Sequence, residues 1–195
     1  MINDLNNKIS ENNNLNENKM ENFEKNKKIE NNIFNSKINI DEYLVNIWLN
    51  ERKFKAALLF RMSEDGVDFN TFHKKCDNKG ETIIFIETEN GYRFGGYTEL
   101  DWDNYSNEKT DESTFLFSFN YKEKYIRRND KYSIGCYHDS GPKFGWGYQI
   151  YFSYNLIEGR SSNSKDNTFI LNNKFVDGKS EWKTKELEVF QIKYN

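Results

Sequence analysis

Residues Thr82 to Thr98 read T-I-I-F-I-E-T-E-N-G-Y-R-F-G-G-Y-T, and the fold of the chain turns on this stretch. A β-branched and aromatic run from Thr82 to Thr88 reaches Glu89-Asn90-Gly91, after which Tyr92-Arg93-Phe94 resumes an apolar and polar alternation. Asn-Gly between two such runs is the strongest short hairpin signal, because both residues tolerate the left-handed backbone of a tight turn. Two antiparallel strands are expected. Ile83, Ile84, Phe85 and Ile86 are apolar in succession, so both faces of the first strand should be covered, which places it inside a packed sheet. Gly95-Gly96 then interrupts the second strand. Paired glycines in a strand mark a bulge or the close approach of a ring, and Phe94 and Tyr97 are the neighbours able to supply one. Gly95 and Gly96, with Gly145 further on, are read as structural glycines.

Upstream of the hairpin, Ile40, Tyr43, Leu44, Ile47 and Trp48 recur at helical spacing, and Asn39 with Glu42 three residues later resembles a capping box. Ala56 to Arg61 reads as a short buried strand closed by a Ser63-Glu64-Asp65-Gly66 turn. Asp68 should cap a second helix running to about Lys75, with Phe69, Phe72 and Cys76 on its inner face. Downstream, Asn104 to Glu112 is a polar loop. Thr114 to Asn120 is a strand with Phe115, Phe117 and Phe119 on one face and Leu116 on the other. A short strand follows at Ser133 to Tyr137. The glycine-rich Gly141 to Gly147 leads into a strand over Tyr148 to Tyr154, Gly159 to Asn167 is a second polar loop, and Leu187 to Tyr194 closes the chain as a strand. The pattern is that of an α+β domain. Met1 to about Asn35 is rich in Asn, Lys and Glu, with isolated apolar residues too far apart to form a face, so residues 1–35 are expected to be a disordered arm and residues 36–195 the domain.

Aromatic residues make up 16 % of the 195-residue chain and lie almost wholly after residue 40, as suits a β-rich core filled by Phe and Tyr. The formal net charge is −3 with acids and bases interspersed, which leaves no basic footprint for nucleic acid. No apolar run approaches the roughly 18 residues of a membrane span, and the first residues lack the apolar segment of a signal peptide. Two cysteines are too few for a disulfide framework. A cytoplasmic, cofactor-free monomer is the expectation.

Four side chains have the ligand types of a Cys2His2 zinc site: His73 and Cys76 three apart on the second helix, Cys136 and His138 two apart on a strand. Neither spacing is that of a finger or ribbon, and a free Cys is more often a small buried hydrophobe, so no metal is assigned. Lys74 and Lys75 beside Cys76 favour a reactive thiolate only if the sulfur is exposed. A hydrolytic reading would draw on Glu99, Asp101 and Asp103 with His138, and it demands that these groups converge in one pocket. Gly145-Trp146-Gly147 precedes a strand and lacks the Lys-Ser/Thr of a phosphate loop. Trp102, Phe144, Trp146 and Tyr148 lie in or beside loops, where large aromatics either pin the loop to the core or anchor a partner. Trp146, between two glycines, is the leading partner-binding candidate.

Six blocks, taken in order, resemble the TLDc domain family: L-L-F-R-M-S-E-D-G at Leu58 to Gly66, F-H-K-K-C-D-N-K-G at Phe72 to Gly80, F-G-G-Y-T at Phe94 to Thr98 with Trp102 beyond, F-L-F-S at Phe115 to Ser118, G-P-K-F-G at Gly141 to Gly145, and E-V-F at Glu188 to Phe190. The resemblance implies two antiparallel β-sheets packed as a sandwich with flanking helices. It also implies a non-enzymatic, protein-binding role, through the vacuolar proton pump (V-ATPase) or in protection against oxidative stress, with a general interaction module as the alternative. Trp146 after Phe144, and Gln149 where an acidic residue is often seen, depart from the family pattern.

Overall fold

The computed structural model describes residues 33–152, 154–162, 164, 167–171, 175–176 and 178–195. The disorder expected of the Asn-rich arm falls on residues 1–32, outside the described residues. Among these, helix α1 (Glu42–Trp48), strand β1 (Phe54–Arg61), the single turn α2 (Met62–Asp65) and helix α3 (Phe69–Cys76) precede the hairpin of β2 (Thr82–Thr88) and β3 (Arg93–Thr98). Then follow β4 (Asn107–Lys109), β5 (Phe115–Ser118), β6 (Glu123–Ile126), β7 (Ile134–Cys136), β8 (Lys143–Phe144), β9 (Tyr151–Phe152), β10 (Glu158–Arg160) and β11 (Glu181–Tyr194).

β2 and β3 pair in unbroken antiparallel register from Thr82 opposite Thr98 to Glu87 opposite Arg93, and Gly91 takes the left-handed conformation at φ +80°. The large sheet runs β6-β5-β3-β2-β11-β10-β9, with β1 paired along β11; a smaller sheet runs β4-β7-β8. β11 is the spine of the large sheet. Its 14 residues pair with β1 through Glu188 to Tyr194, with β2 through Thr184 to Gln191 and with β10 through Glu181 to Lys183. Register shifts at Leu59 and at Lys185 let so long a strand follow the curl of the sheet.

The apolar run of β2 is explained by two cores, one on each face of the large sheet. Ile84 and Ile86 join Phe94, Leu116, Phe60, Phe72 of α3, Trp102, and Ile134 and Phe144 of the small sheet. Ile83 and Phe85 join Phe115, Phe117, Phe119 and Phe190 under Val45 and Trp48 of α1. All four residues of the Ile83–Ile86 run are fully buried, and the small sheet with α3 packs on one face while α1 covers the other. This is an α+β fold of two antiparallel sheets with flanking helices.

The two glycines of β3 are sites of close approach rather than a bulge. A Cβ on Gly95 would run into the main-chain oxygen of Ile84 and stand 2.7 Å from Phe117 Cζ; one on Gly96 would stand 2.6 Å from Phe144 Cζ and 2.9 Å from Leu116 Cδ2. The rings come from β5 and β8, not from the sequence neighbours Phe94 and Tyr97. Neither glycine has a positive φ.

Other expectations are corrected at their ends. α1 is capped by Asp41, whose carboxylate accepts from Leu44 N at 3.3 Å, in place of Asn39. Its buried residues are Val45 and Trp48, whereas Tyr43 and Ile47 are exposed. Ser63 to Asp65 is helical, and β1 is only half-buried along much of its length. The first expected polar loop contains β4 and the second overlaps β10, short segments with little apolar character that pair through the backbone. Tyr148 belongs to a turn before the short β9, and β6 was not anticipated. α3 ends at Cys76, and Asp68 caps it by accepting from Thr71 N at 2.9 Å.

The folded unit also begins before Ser36. Phe34 is 2 % exposed, its ring 5.0 Å from Phe85 and 5.2 Å from Phe190. Asn35 O accepts from Arg61 Nη2 at 2.7 Å. The fully buried Glu188 carboxylate accepts from Arg61 Nε at 2.6 Å, from Lys37 N at 2.9 Å and from the Ser36 hydroxyl. A buried carboxylate is tolerable only when paired and hydrogen-bonded in this way. The network ties the segment before α1 to β1 and β11.

Candidate partner-binding loop

β8 ends at Phe144, which is fully buried beneath Gly96 and packs edge-on against Trp102 at 5.4 Å. The chain then reverses through Gly145, Trp146, Gly147 and Tyr148 before Ile150 returns to bridge Phe144. Phe144 N donates to Ile150 O at 2.9 Å, Gln149 N to Phe144 O at 3.0 Å, Gly145 N to Ser133 O at 2.8 Å and Trp146 N to Thr168 Oγ1 at 2.8 Å. Gln149 lies fully buried beneath the turn and pairs with both backbone groups of Phe169, donating to its O at 2.5 Å and accepting from its N at 3.1 Å. An amide side chain satisfies a donor and an acceptor at once, which an acidic side chain in its ionised form cannot do. Gln149 thus suits this place.

Gly145 and Gly147 have φ of +76° and +83°, where a side chain would be strained and would strike Gln149 Oε1 and Asn167 Oδ1 respectively. Tyr148 holds φ +62°, an uncommon conformation for a bulky residue that persists only where surrounding contacts fix it. The backbone of the turn is therefore set from below, and it holds two rings outward. Trp146 and Tyr148 are each 46 % exposed. Trp146 leans edge-on against Tyr132 at 5.5 Å with the Lys131 ammonium 5.1 Å from its centroid, and Tyr148 lies 5.1 Å from Tyr151.

Beneath Tyr148 sits Lys143, only 6 % exposed, its ammonium 4.0 Å from the Tyr148 centroid, 4.2 Å from Tyr137 and 5.8 Å from Tyr151. Burial pushes its pKa down, and Glu108 and Asp139 counter this only through longer-range attraction. Tyr137 donates to Glu108 Oε1 at 2.8 Å; burial first, and then this bond, push its phenol up to about 12. No sequence pattern pointed to Lys143, Tyr132, Tyr137 or Tyr151: Lys143 and Tyr151 flank the turn in two-residue strands too short to show a pattern, and Tyr132 and Tyr137 come from either side of β7.

Two of the four aromatic candidates are absent from this surface. Trp102 is 1 % exposed and donates through Nε1 to Thr82 Oγ1 at 2.9 Å, and Phe144 is wholly buried, so both pin the structure from within.

The zinc candidates do not converge: among the described residues no group of three or more His, Cys, Asp or Glu side chains is arranged around a metal position. Both nitrogens of His73 are engaged, Nδ1 with Asp77 at 2.9 Å and Nε2 with the carbonyl oxygens of Tyr137 and Ser140 at 2.9 and 3.0 Å. Carbonyls only accept, so Nε2 donates, and the ring clamps α3 to the turn after β7. Cys76 and Cys136 are buried in the core; burial pushes the Cys76 thiol far up and that of Cys136 up to about 11, so neither is a ready thiolate.

Of the hydrolytic set, only His138 lines the open cleft of about 280 Å³ formed with Asn70, His73, Lys74, Asp77 and Asn104. Asp101 instead accepts from Gly80 N at 2.5 Å, Asp103 pairs with Lys109 at 2.5 Å, and Glu99 accepts from the Tyr97 hydroxyl at 3.3 Å.

Fold and loop together define a class of protein: an antiparallel β domain that displays aromatic side chains on a backbone fixed by its core. The TLDc domain family model matches residues 23–193, and the chain belongs to that family. No curated protein matches it. Among the described residues no helix is long and apolar enough to cross a membrane.

Proposed function

We propose that this TLDc domain is a non-catalytic binding module that engages a protein partner through the Gly145–Tyr148 turn. The observation that carries the reading is the pair of half-exposed rings, Trp146 and Tyr148, on a turn whose backbone is held by Gln149, Thr168 and two left-handed glycines. Trp and Tyr on a rigid frame lose little conformational freedom on binding, which is why such residues dominate interface energetics. Membership of the TLDc family supports subunits of the V-ATPase as that partner, in a protein that serves the response to oxidative stress. The domain acts in the cytoplasm, at the surface of membranes that carry the pump.

The test is affinity capture from a lysate with the whole chain as bait, followed by mass spectrometry. Recovery of pump subunits supports the reading. Enrichment of another complex, with no pump subunit, replaces it with a general interaction module of a different partner.

A further inference from the structure

Lys143 is the one residue of this surface whose charge the turn does not explain. Its stem is enclosed by Tyr137, Tyr148 and Tyr151 while the ammonium at its tip keeps an opening to solvent, and among the described residues no carboxylate or carbonyl accepts from that ammonium. A buried cation normally carries an ion partner, since ring faces replace only part of the hydration it has lost. The nearest acids do not fill the role. Glu108 takes the Tyr137 hydroxyl, and Asp139 acts at longer range. The carbon skeleton of Tyr148, half-exposed, forms one wall of the Lys143 site. A segment that packs on Trp146 and Tyr148 therefore arrives beside this ammonium.

We infer that Lys143 receives a carboxylate of the partner, so that the surface recognises an acidic segment in which an Asp or Glu side chain lies next to an apolar anchor. Charge complementarity supports this, for the Lys143 ammonium has only the longer-range attraction of Glu108 and Asp139 to offset it. The aromatic walls leave the ammonium only partly hydrated, and a carboxylate seated there displaces the remaining water, which strengthens the pairing and selects against segments lacking the acid. The inference rests on the proposed role of the turn, and its test separates the two.

A random twelve-residue peptide library displayed on phage is selected on the immobilised whole chain, on Trp146→Ala and on Lys143→Met, with a melting curve for each. The expected result is a set of peptides enriched in Asp or Glu that Trp146→Ala no longer retains. On Lys143→Met the acidic enrichment should disappear. Because Lys143→Met also removes the cation beneath the Tyr148 ring, a selected peptide is synthesised with its acid replaced by the amide as well. Its affinity for the unaltered chain should fall by about tenfold or more. Peptides that need Trp146 but show no acidic preference, or that bind equally well as the amide, overturn the inference and leave the proposed surface standing. Peptides indifferent to Trp146→Ala, or no selected peptides at all, overturn the surface and the inference together.

Discussion

Gly95→Ala and Gly96→Ala differ by one position and should differ sharply in cost. At Gly96 the new Cβ meets Phe144 and Leu116 side-chain atoms at 2.6 to 2.9 Å, and both side chains have room to yield only by shifting within a full core. Overpacking of this kind costs about 1 to 3 kcal/mol, and the restricted unfolded chain returns about 0.4 to 1, leaving a net loss of up to about 2.6 kcal/mol and about 1.3 at the middle of both ranges. At Gly95 the obstacle is the Ile84 main-chain oxygen, which belongs to the β2 ladder and cannot move without parting the strands. That substitution should cost at least about 3 kcal/mol. In a domain of this size each kcal/mol moves the midpoint by about 2 to 4 °C, so differential scanning calorimetry resolves the order. Because Phe144 leads directly into the binding turn, Gly96→Ala should weaken partner capture only along with its melting temperature. A Gly95→Ala chain as stable as the unaltered one would refute the packing argument. A Gly96→Ala chain of unchanged stability that fails to bind would place the glycine in the contact surface itself.

Three further outcomes are expected. A chain beginning at Ser36 should melt well below one beginning at Phe34, since it lacks a ring whose truncation in a core costs about 3 to 5 kcal/mol; equal midpoints, read by circular dichroism, would show that Phe34 adds nothing. The Asp68 carboxyl is held below its usual range mainly by the Thr71 hydroxyl and amide, so its stabilising share is present above the unfolded pKa and lost as pH falls through the folded one. The melting difference between the unaltered chain and Asp68→Ala should accordingly shrink as pH is lowered from about 7 through the carboxylate range, and a constant difference would contradict the cap. Finally, iodoacetamide at near-neutral pH should label Cys76 and Cys136 only after unfolding, as judged by intact mass; fast labelling of the native chain would mean that a thiol is exposed.

The parts of the fold legible in the sequence were those whose signal is local. Asn90-Gly91 and the flanking β-branched runs specified the hairpin, and the unbroken Ile83–Ile86 run announced a strand buried on both faces. Asp68 with the Phe69, Phe72 and Cys76 spacing gave α3 nearly to the residue. The misreadings share a cause. Asn107–Lys109 and Glu158–Arg160 carry almost no apolar pattern, and they are strands because neighbouring backbones offer them partners. Phe34 looked isolated among asparagines because its companions, Phe85 and Phe190, are distant in sequence. The site divides the same way: Trp146 between glycines stood out as the leading partner-binding candidate, but Trp102 and Phe144 could be assigned to the core only once the two sheets were seen to close over them. Lys143 acquires its setting from Tyr137 before it and from Tyr148 and Tyr151 after it, a cluster that no periodic pattern announces.

The central claim is that a core-locked turn presents aromatic rings to a partner. It is tested most directly by comparing the whole chain with a Trp146→Ala, Tyr148→Asn double variant, in which Asn tolerates the left-handed conformation that Tyr148 holds. Quantitative capture of the partner and thermal melting are measured on the same preparations. Trp146 loses its contacts with Tyr132 and Lys131 and Tyr148 those with Tyr151 and Lys143, all around two half-exposed rings, so the midpoint should fall by a few degrees while capture falls at least about tenfold. Undiminished capture by the folded double variant would contradict the account.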